Sequence, residues 1–380
     1  MNDKHSDPKS QKLITRRRFV ASLGATAIGY AAANAWPSQA MSAPVAADRS
    51  VVTPQSLETL YKYGKLVLSA AADATAFDSK SVDCPFVFRH GDRFLMAYIG
   101  YDGTGYQTGL ASSTNLVDWE RQGCILRRDP QSEVTRYNIA MNWILRENDV
   151  RSAGNLRKIH ERYLGAYHAY PNAGYESGPA VIGLCWSKDL FHWELDPPCL
   201  HPEDGADWEK GGLYKPCIVE YDGKFYLFYN AKTETLPAAQ GGGWHEQTGV
   251  ATSQDLKTWV RYSGNPILRN GPKGSWDDRF VSDPCVLRYA GGWAIFYYGL
   301  SSNKGKARDL LAIGSDLFHP VKTDSILVDA GPPGSVDDDF AHKPSIVTYE
   351  GDLYHFYCAV SGKYPNDVRG ISVARSRPWS

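Results

Sequence analysis

The sequence predicts an all-β fold, a five-bladed β-propeller closed by an N-terminal strand in the last blade. Three observations carry this. One phrase recurs: residues 109–119 (GLASSTNLVDW), 183–193 (GLCWSKDLFHW) and 249–259 (GVATSQDLKTW) each read as a small apolar strand, Ser-x-Asp/Asn-Leu, then Trp, with 311–320 and 370–379 as worn copies. A second phrase recurs in register with it, a strand opened by Pro85, Pro216, Pro284 or Pro344, a tight glycine-containing turn and an aromatic strand. Glycine, proline and aromatic residues are plentiful, whereas long amphipathic helical patterns are scarce. Repetition of one small sheet unit along a chain predicts a closed ring around a central funnel.

The elements follow in chain order. Residues 1–43 read as an export signal and its cleavage region. Thr15-Arg16-Arg17-Arg18-Phe19-Val20 precedes an alanine-rich apolar run, the pattern of a twin-arginine signal, with cleavage after Ala40 or Ala43. The run is too short and too rich in alanine to favour a permanent span. The mature form is therefore expected off the membrane, periplasmic or secreted, with the twin-arginine export machinery as a partner. Residues 44–63 are a linker, and 64–380 the propeller.

Within the propeller, residues 64–68 (GKLVL) precede Pro85 by the interval at which Ile267-Leu268 precede Pro284, so they are expected to form the outer strand of the last blade. Blade one opens at Asp83-Cys84-Pro85. The gap from Pro85 to Pro216 is about twice the other spacings, which places a hidden second blade at 140–146 and 162–170. Blades three, four and five open at Lys215-Pro216, Asp283-Pro284 and Lys343-Pro344. Of seven cysteines, Cys84, Cys217, Cys285 and Cys358 sit in apolar strand patterns without metal-type spacing and read as buried free thiols. A formal net charge of −1, with no basic stripe beyond the N-terminus, excludes nucleic acid as a partner.

Topology sends the second-to-third strand loops, the interblade linkers and the strand-opening residues to one mouth. The linkers also repeat: Asp207-Trp208-Glu209, Ser275-Trp276-Asp277-Asp278-Arg279 and Ser335-Val336-Asp337-Asp338. Indoles that cover pyranose faces and carboxylates that take hydroxyls suit sugar binding.

With these motifs, the chain resembles the five-bladed β-propeller glycosidases, glycoside hydrolase family 43 and its relatives in families 32, 117 and 130, over roughly residues 60–380. The resemblance implies a glycosidase acting on an oligo- or polysaccharide. It implies an Asp general base on blade one, a supporting Asp on blade three and a Glu acid on blade four. This chain has Asp83 one residue before the expected place, Lys215 where the Asp would stand, and Asp283 where the Glu would stand. Relatives in family 117 are thought to use a histidine as acid, which makes His342 a candidate.

Glycoside hydrolysis needs one group to protonate the leaving oxygen and another to activate water or attack carbon. Asp83 is the expected base or nucleophile, and Asp283 the supporting acid or proton donor. Glu209 is a candidate acid because the Trp208 indole would lower its solvation. Asp278 and Glu176 are reserves, Glu176 in a loop overhanging the mouth. Trp208 and Trp276 are expected to bind sugar. Lys215, Lys343, Arg279 and His342 are unusual beside a neutral sugar and allow an anionic glycan or inorganic phosphate. No cofactor is required, and an axial calcium ion stays open. Two alternatives stand beside hydrolysis, a non-catalytic glycan-binding propeller and a phosphate-dependent glycoside phosphorylase.

Overall fold

The strands of this protein assemble into successive antiparallel groups, each begun by a buried hairpin. The computed structural model describes residues 54–236, 243–363 and 366–379. The expected export signal, 1–43, lies outside them. A short first strand, β1 (Tyr61–Lys62), precedes the group β2 (Ser81–His90), β3 (Arg93–Tyr101), β4 (Tyr106–Ser113) and β5 (Glu120–Leu126), which pair in that order. The next group runs β6 (Ala140–Ile144), β8 (Arg162–Ala169), β9 (Val181–Ser187) and β10 (Glu194–Leu200), with β7 (Lys158–Ile159) added to β8. The hidden unit expected between Pro85 and Pro216 is this one.

Then come β11 (Gly212–Tyr221), β12 (Lys224–Lys232), β13 (Glu246–Ser253) and β14 (Val260–Arg261). After them run β15 (Phe280–Tyr289), β16 (Gly292–Leu300), β17 (Ala307–Gly314) and β18 (Val321–Val328). The last are β19 (Phe340–Tyr349), β20 (Asp352–Ser361) and β21 (Val368–Arg375). Parallel bridges from Glu246 to Phe280 and from Ala307 to Phe340 join these three groups edge to edge. β1 pairs with β21, Tyr61 opposite Arg375 and Lys62 opposite Ala374. The chain stays on β21 through Val67, whose N–H donates to the Ile371 carbonyl at 2.8 Å, and Leu68 bridges Ile371.

The recurring phrases have local causes. In the first, Ser113, Ser187 and Ser253 accept from the backbone N–H two and three residues on, while Asn115, Asp189 and Asp255 do the same for the next turn. These side chains replace backbone partners and turn the chain. The Trp119 and Trp193 indole N–H groups then close on the Leu116 and Leu190 carbonyls. First, second and third strands are nearly continuous buried runs, because both sheet faces are covered, whereas β5, β10 and β18 are polar and exposed. Charges on such edges discourage pairing with other chains.

A clasp repeats at the linkers. The Tyr98 hydroxyl donates to Asp78, Tyr229 to Glu209, Tyr297 to Asp277 and Tyr357 to Asp337, all between 2.9 and 3.1 Å. Each carboxylate also holds a cation from an outer strand: Arg121 on Asp78, Arg261 on Glu209, Lys322 on Asp277 and Lys62 on Asp337. Lys62 comes from β1 and occupies in the last group the place that Arg121, Arg261 and Lys322 occupy in theirs. The acids are buried, so each clasp neutralises a carboxylate that would be costly alone.

Candidate active site

The first strands share one kink. The residue before the opening proline has positive φ in each case: Cys84 51°, Lys215 51°, Asp283 57° and Lys343 69°. Pairing register slips at each of these points. β6 slips at the corresponding Asn142, without a proline. Left-handed backbone costs a non-glycine residue about 1–2 kcal/mol, and a bulge of this kind re-aims the side chain it carries. Cys84, Asn142, Lys215, Asp283 and Lys343 are thus one structural position carrying different chemistry.

These side chains meet around two small cavities. One, of about 20 Å³, is lined by Cys84, Tyr106, His168, Tyr170, Tyr214, Lys215, Asp283, Tyr298, Lys343 and Glu176. The other, of about 10 Å³, lies among the four opening prolines, Asn142, Lys215 and Asp283. Several polar atoms of these walls are buried with no hydrogen-bond partner: the Tyr170 and Tyr214 hydroxyls, His168 Nδ1, Asp283 Oδ2 and the Asn142 amide. Polar atoms gathered around a space of this size can hold one water or one hydroxyl.

The charges around the chamber act on one another. Asp83 is buried, with Oδ1 taking the Cys84 N–H at 2.7 Å. Oδ2 takes Lys343 Nζ at 2.8 Å, Arg369 Nη1 at 3.2 Å and the Tyr175 hydroxyl at 3.3 Å. Burial opposes its ionisation, but Lys343 and Arg369 prevail and hold the carboxyl well below the usual range. Asp283 has the opposite balance. Lys215 stands 3.6 Å away, yet burial dominates and raises its pKa to about 7. With its amide nitrogen turned inward, Asn230 donates to Asp283 Oδ1 at 3.2 Å. Burial pushes the Cys84 thiol up to about 12, so it stays protonated.

His342 is buried against Tyr298 and Phe340. Burial, then Lys343, holds its pKa well below the usual imidazole value. Its Nδ1 lies 3.0 Å from the Cys358 carbonyl, which only accepts, so Nδ1 carries the ring proton and Nε2 is an acceptor. A neutral ring in this tautomer does not serve as the proton donor that the sequence allowed.

Above the chamber opens a cleft of about 770 Å³. Glu176, Tyr298 and Lys343 line both spaces. Glu246 stands on one wall, buried, its carboxylate accepting from the Trp244 indole at 2.8 Å, the Ser282 hydroxyl at 2.5 Å and the Tyr298 hydroxyl at 3.2 Å. Glu176 stands in the 171–178 loop, accepting from the Tyr106 hydroxyl at 3.3 Å, with Lys343 Nζ at 3.9 Å. Both carboxylates help to hold the hydroxyls of Tyr170, Tyr214 and Tyr298 protonated, an effect that follows burial in size. Both line the cleft where it meets the chamber.

Of the residues singled out from sequence, Lys343, His342, Arg279 and Glu176 line the cleft, and Lys215 and Asp283 the chamber. Asp83 lies beneath them as the partner of Lys343 and Arg369. Glu209 lines neither space. It is the clasp acid of its group, engaged by Arg261, Tyr229 and the Ala206 N–H. Trp208 lies face to face with Tyr229, and the Trp276 ring carries Lys304 and Arg308 each 3.4 Å from its centroid. Neither indole lines the cleft, and the Trp276 face is taken by cations. Asp278 caps the Gly274 and Ser302 N–H groups outside it.

Glu246, Trp244, Tyr298, Arg369 and His168 were not anticipated. Register would have found two of them. The central tyrosines Tyr98, Tyr167, Tyr229, Tyr297 and Tyr357 pair with Gly109, Gly183, Gly249, Leu310 and Ser372. Three residues earlier stand Tyr106, Ala180, Glu246, Ala307 and Arg369, a repeated position whose identity varies. The axial calcium finds a poor donor set. The chamber among the prolines offers only the Asn142 and Asp283 side chains beside the Lys215 ammonium, whereas calcium takes six to eight oxygens.

Comparison with known proteins supports the fold and the enzyme class. Residues 154–317 match the model for the glycosyl hydrolases family 32 N-terminal domain. A levanase from Bacillus subtilis (strain 168) is 33% identical over 122 residues, which is 30% of this chain and 17% of the levanase. The chain spans 46% of a 1,2-beta-oligomannan phosphorylase from Thermoanaerobacter sp. (strain X514), 24% identical over 165 residues. Among solved structures, a complex of BT0996 with RGII has TM-score 0.73 at 30% identity, covering 86% of this chain and 94% of the matched one. Another, described as "Glycoside hydrolase", has TM-score 0.73 at 29% identity, covering 87% and 97%. Solved enzymes of families 130, 117 and 43 share the fold at 12 to 17% identity. Fold, repeated linkers and family matches converge: the chain belongs to the β-propeller glycoside hydrolases, the group that contains families 32, 43, 117 and 130.

Proposed function

We propose that this protein is an exported glycoside hydrolase that cleaves a glycosidic bond in an oligo- or polysaccharide, with Glu176 and Glu246 as its catalytic carboxylates. One observation carries the assignment: both line the open cleft at the mouth of the chamber, Glu246 taking the Tyr298 hydroxyl and Glu176 the Tyr106 hydroxyl beside Lys343. Hydrolysis needs two carboxyl groups flanking one bond, one donating a proton and one activating water or attacking carbon. Glu246 is fixed by three donors, as a positioned acceptor requires. The chamber takes a hydroxyl of the sugar on one side of the bond, where the Tyr170 and Tyr214 hydroxyls, His168 Nδ1 and Asp283 Oδ2 face it. Asp83 is a positioning residue that fixes Lys343 and Arg369.

Further parts of the reading rest on the sequence and on the clasps. The groups are the blades of a five-bladed propeller. The segment 61–68 serves as the outer strand of the last, a role supported by Lys62 on Asp337. The signal in 1–43 directs export by the twin-arginine route to the periplasm or beyond.

The test is paired: Glu176→Gln and Glu246→Gln should each lower kcat by roughly 10²- to 10⁴-fold on any cleaved oligosaccharide. An activated aryl glycoside, whose leaving group needs no protonation, should restore the turnover of the acid variant and not of the other, which assigns the proton donor. If both variants keep wild-type turnover, the pair is misassigned. A glycan-binding propeller without turnover is the second reading, favoured by Lys215 and Lys343 at the kinked position. Saturable binding with no sugar released by the wild type would establish it.

A further inference from the structure

We infer that Lys232 and Arg279, which share the Trp244 indole on one wall of the cleft, form a clamp for an anionic substituent, a carboxylate or sulfate, on the bound glycan. The inference rests on the cleft being the substrate site. Lys232 Nζ lies 5.5 Å from the Trp244 ring centroid and 5.4 Å from those of Tyr170 and Tyr214. Arg279 Cζ lies 5.4 Å from the same indole and 4.9 Å from Phe280, with Nε donating to the Trp244 carbonyl at 3.4 Å.

Lys215, Lys343 and Arg369 each face an acid, whereas the half-buried Lys232 and Arg279 do not. Lys343 and Arg369 share Asp83, and Lys215 faces Asp283. Among the described residues, no carboxylate oxygen comes within ion-pair distance of Lys232 or Arg279. The adjoining segment 237–242 (PAAQGG) contains no acid in its sequence either. The aromatic faces attract each cation by about 0.5–2 kcal/mol but supply no ion-pair partner. Two like charges held over one indole repel unless an anion joins them.

The donor set is specific. A guanidinium offers a planar fork and an ammonium three rotatable donors, which together suit the oxygens of a carboxylate or sulfate. Position gives the clamp its use. The indole that carries both cations donates from its edge to Glu246. An anion seated there places the sugar that bears it beside the carboxylate wall, next to the bond to be broken.

The experiment compares matched oligosaccharides: an oligogalacturonate, the same compound with its carboxyls reduced to alcohols, a sulfated neutral oligosaccharide, and inorganic phosphate. Binding is read by calorimetry on the full chain, on Lys232→Met and on Arg279→Gln, with melting curves to show that each variant is folded. Release of reducing sugar by the wild type is scored separately, so loss of the clamp and loss of the hydrolase reading give different results. The expected outcome is that the galacturonate or the sulfated compound binds the wild type more tightly than its neutral match. Each substitution should cut that preference by about 10- to 100-fold. Preference for galacturonate alone identifies the carboxylate, and for the sulfated compound alone the sulfate. Equal binding of charged and neutral forms, or an unchanged preference in both variants, overturns the clamp. So does saturable phosphate binding that Arg279→Gln abolishes while no oligosaccharide is preferred, because the anion would then be free phosphate.

Discussion

Lys343 Nζ stands 2.8 Å from Asp83 Oδ2 in the interior, and Arg369 closes on the same oxygen. Removing the carboxylate would leave two buried cations facing each other. Asp83→Asn is expected to cost about 3–5 kcal/mol of stability at neutral pH. The folded pKa of Asp83 lies below its unfolded value, so the stabilisation is present above about pH 4 and lost as pH falls through the folded pKa. Melting temperatures between pH 3 and 8 check this: the gap between variant and wild type should be wide at pH 7 and shrink on acidification. A gap that stays constant would refute the pairing.

Asp283 should show the reverse sign. Its pKa is raised to about 7, so between pH 4 and 7 the folded chain binds a proton that the unfolded chain has released. Its contribution therefore falls as pH rises through that window and is flat above it. Asp283→Asn mimics the protonated form and should flatten the melting temperature profile between pH 5 and 7.5. Retention of the wild-type slope would mean that another group titrates there.

The clasp acids separate structure from chemistry. Glu209→Gln weakens the contacts with Arg261 and Tyr229 and is expected to cost about 1–3 kcal/mol. Sugar release per folded molecule should match the wild type, because Glu209 does not reach the cleft. A folded Glu209→Gln protein that no longer releases sugar would return Glu209 to the catalytic set.

Lys62 tests how the last group is held. Lys62→Met removes the cation from Asp337 and should loosen 61–68 along β21. Amide exchange of Ile371 and Val373 should quicken relative to that in β3 and β12. Equal protection in variant and wild type would show that the segment is held by its backbone alone.

The architecture was legible where a residue's role repeats. The proline-opened hairpins, the Ser-x-Asp-Leu turns and the hidden unit at 140–170 each have a local cause, so pattern alone placed them. The buried free thiols Cys84, Cys217, Cys285 and Cys358 followed from the same strand patterns. The site was less legible because it is built at positions whose backbone repeats while the side chain varies. Lys215 and Lys343 drew attention as cations at a strand opening, and they reach the chamber. Glu209 and Trp276 drew attention because linker acids and indoles recur, but recurrence of the acids marked the clasp that four of the groups share. Glu246 has no counterpart acid at Tyr106, Ala180, Ala307 or Arg369, so no repeat announced it. Its importance appears only when the turn before β13, then β15 and β16, bring Trp244, Ser282 and Tyr298 onto it.

The pairing of Tyr61 with Arg375 also sets a clock. During synthesis Tyr61 leaves the ribosome long before its partner is made, roughly 15–60 s at ordinary elongation rates. Throughout that interval the nascent protein carries an unmatched strand, and the sheet it will complete does not yet exist. Final locking thus waits until β21 has been made, and chaperones that shield unpaired edges would find their target in this window.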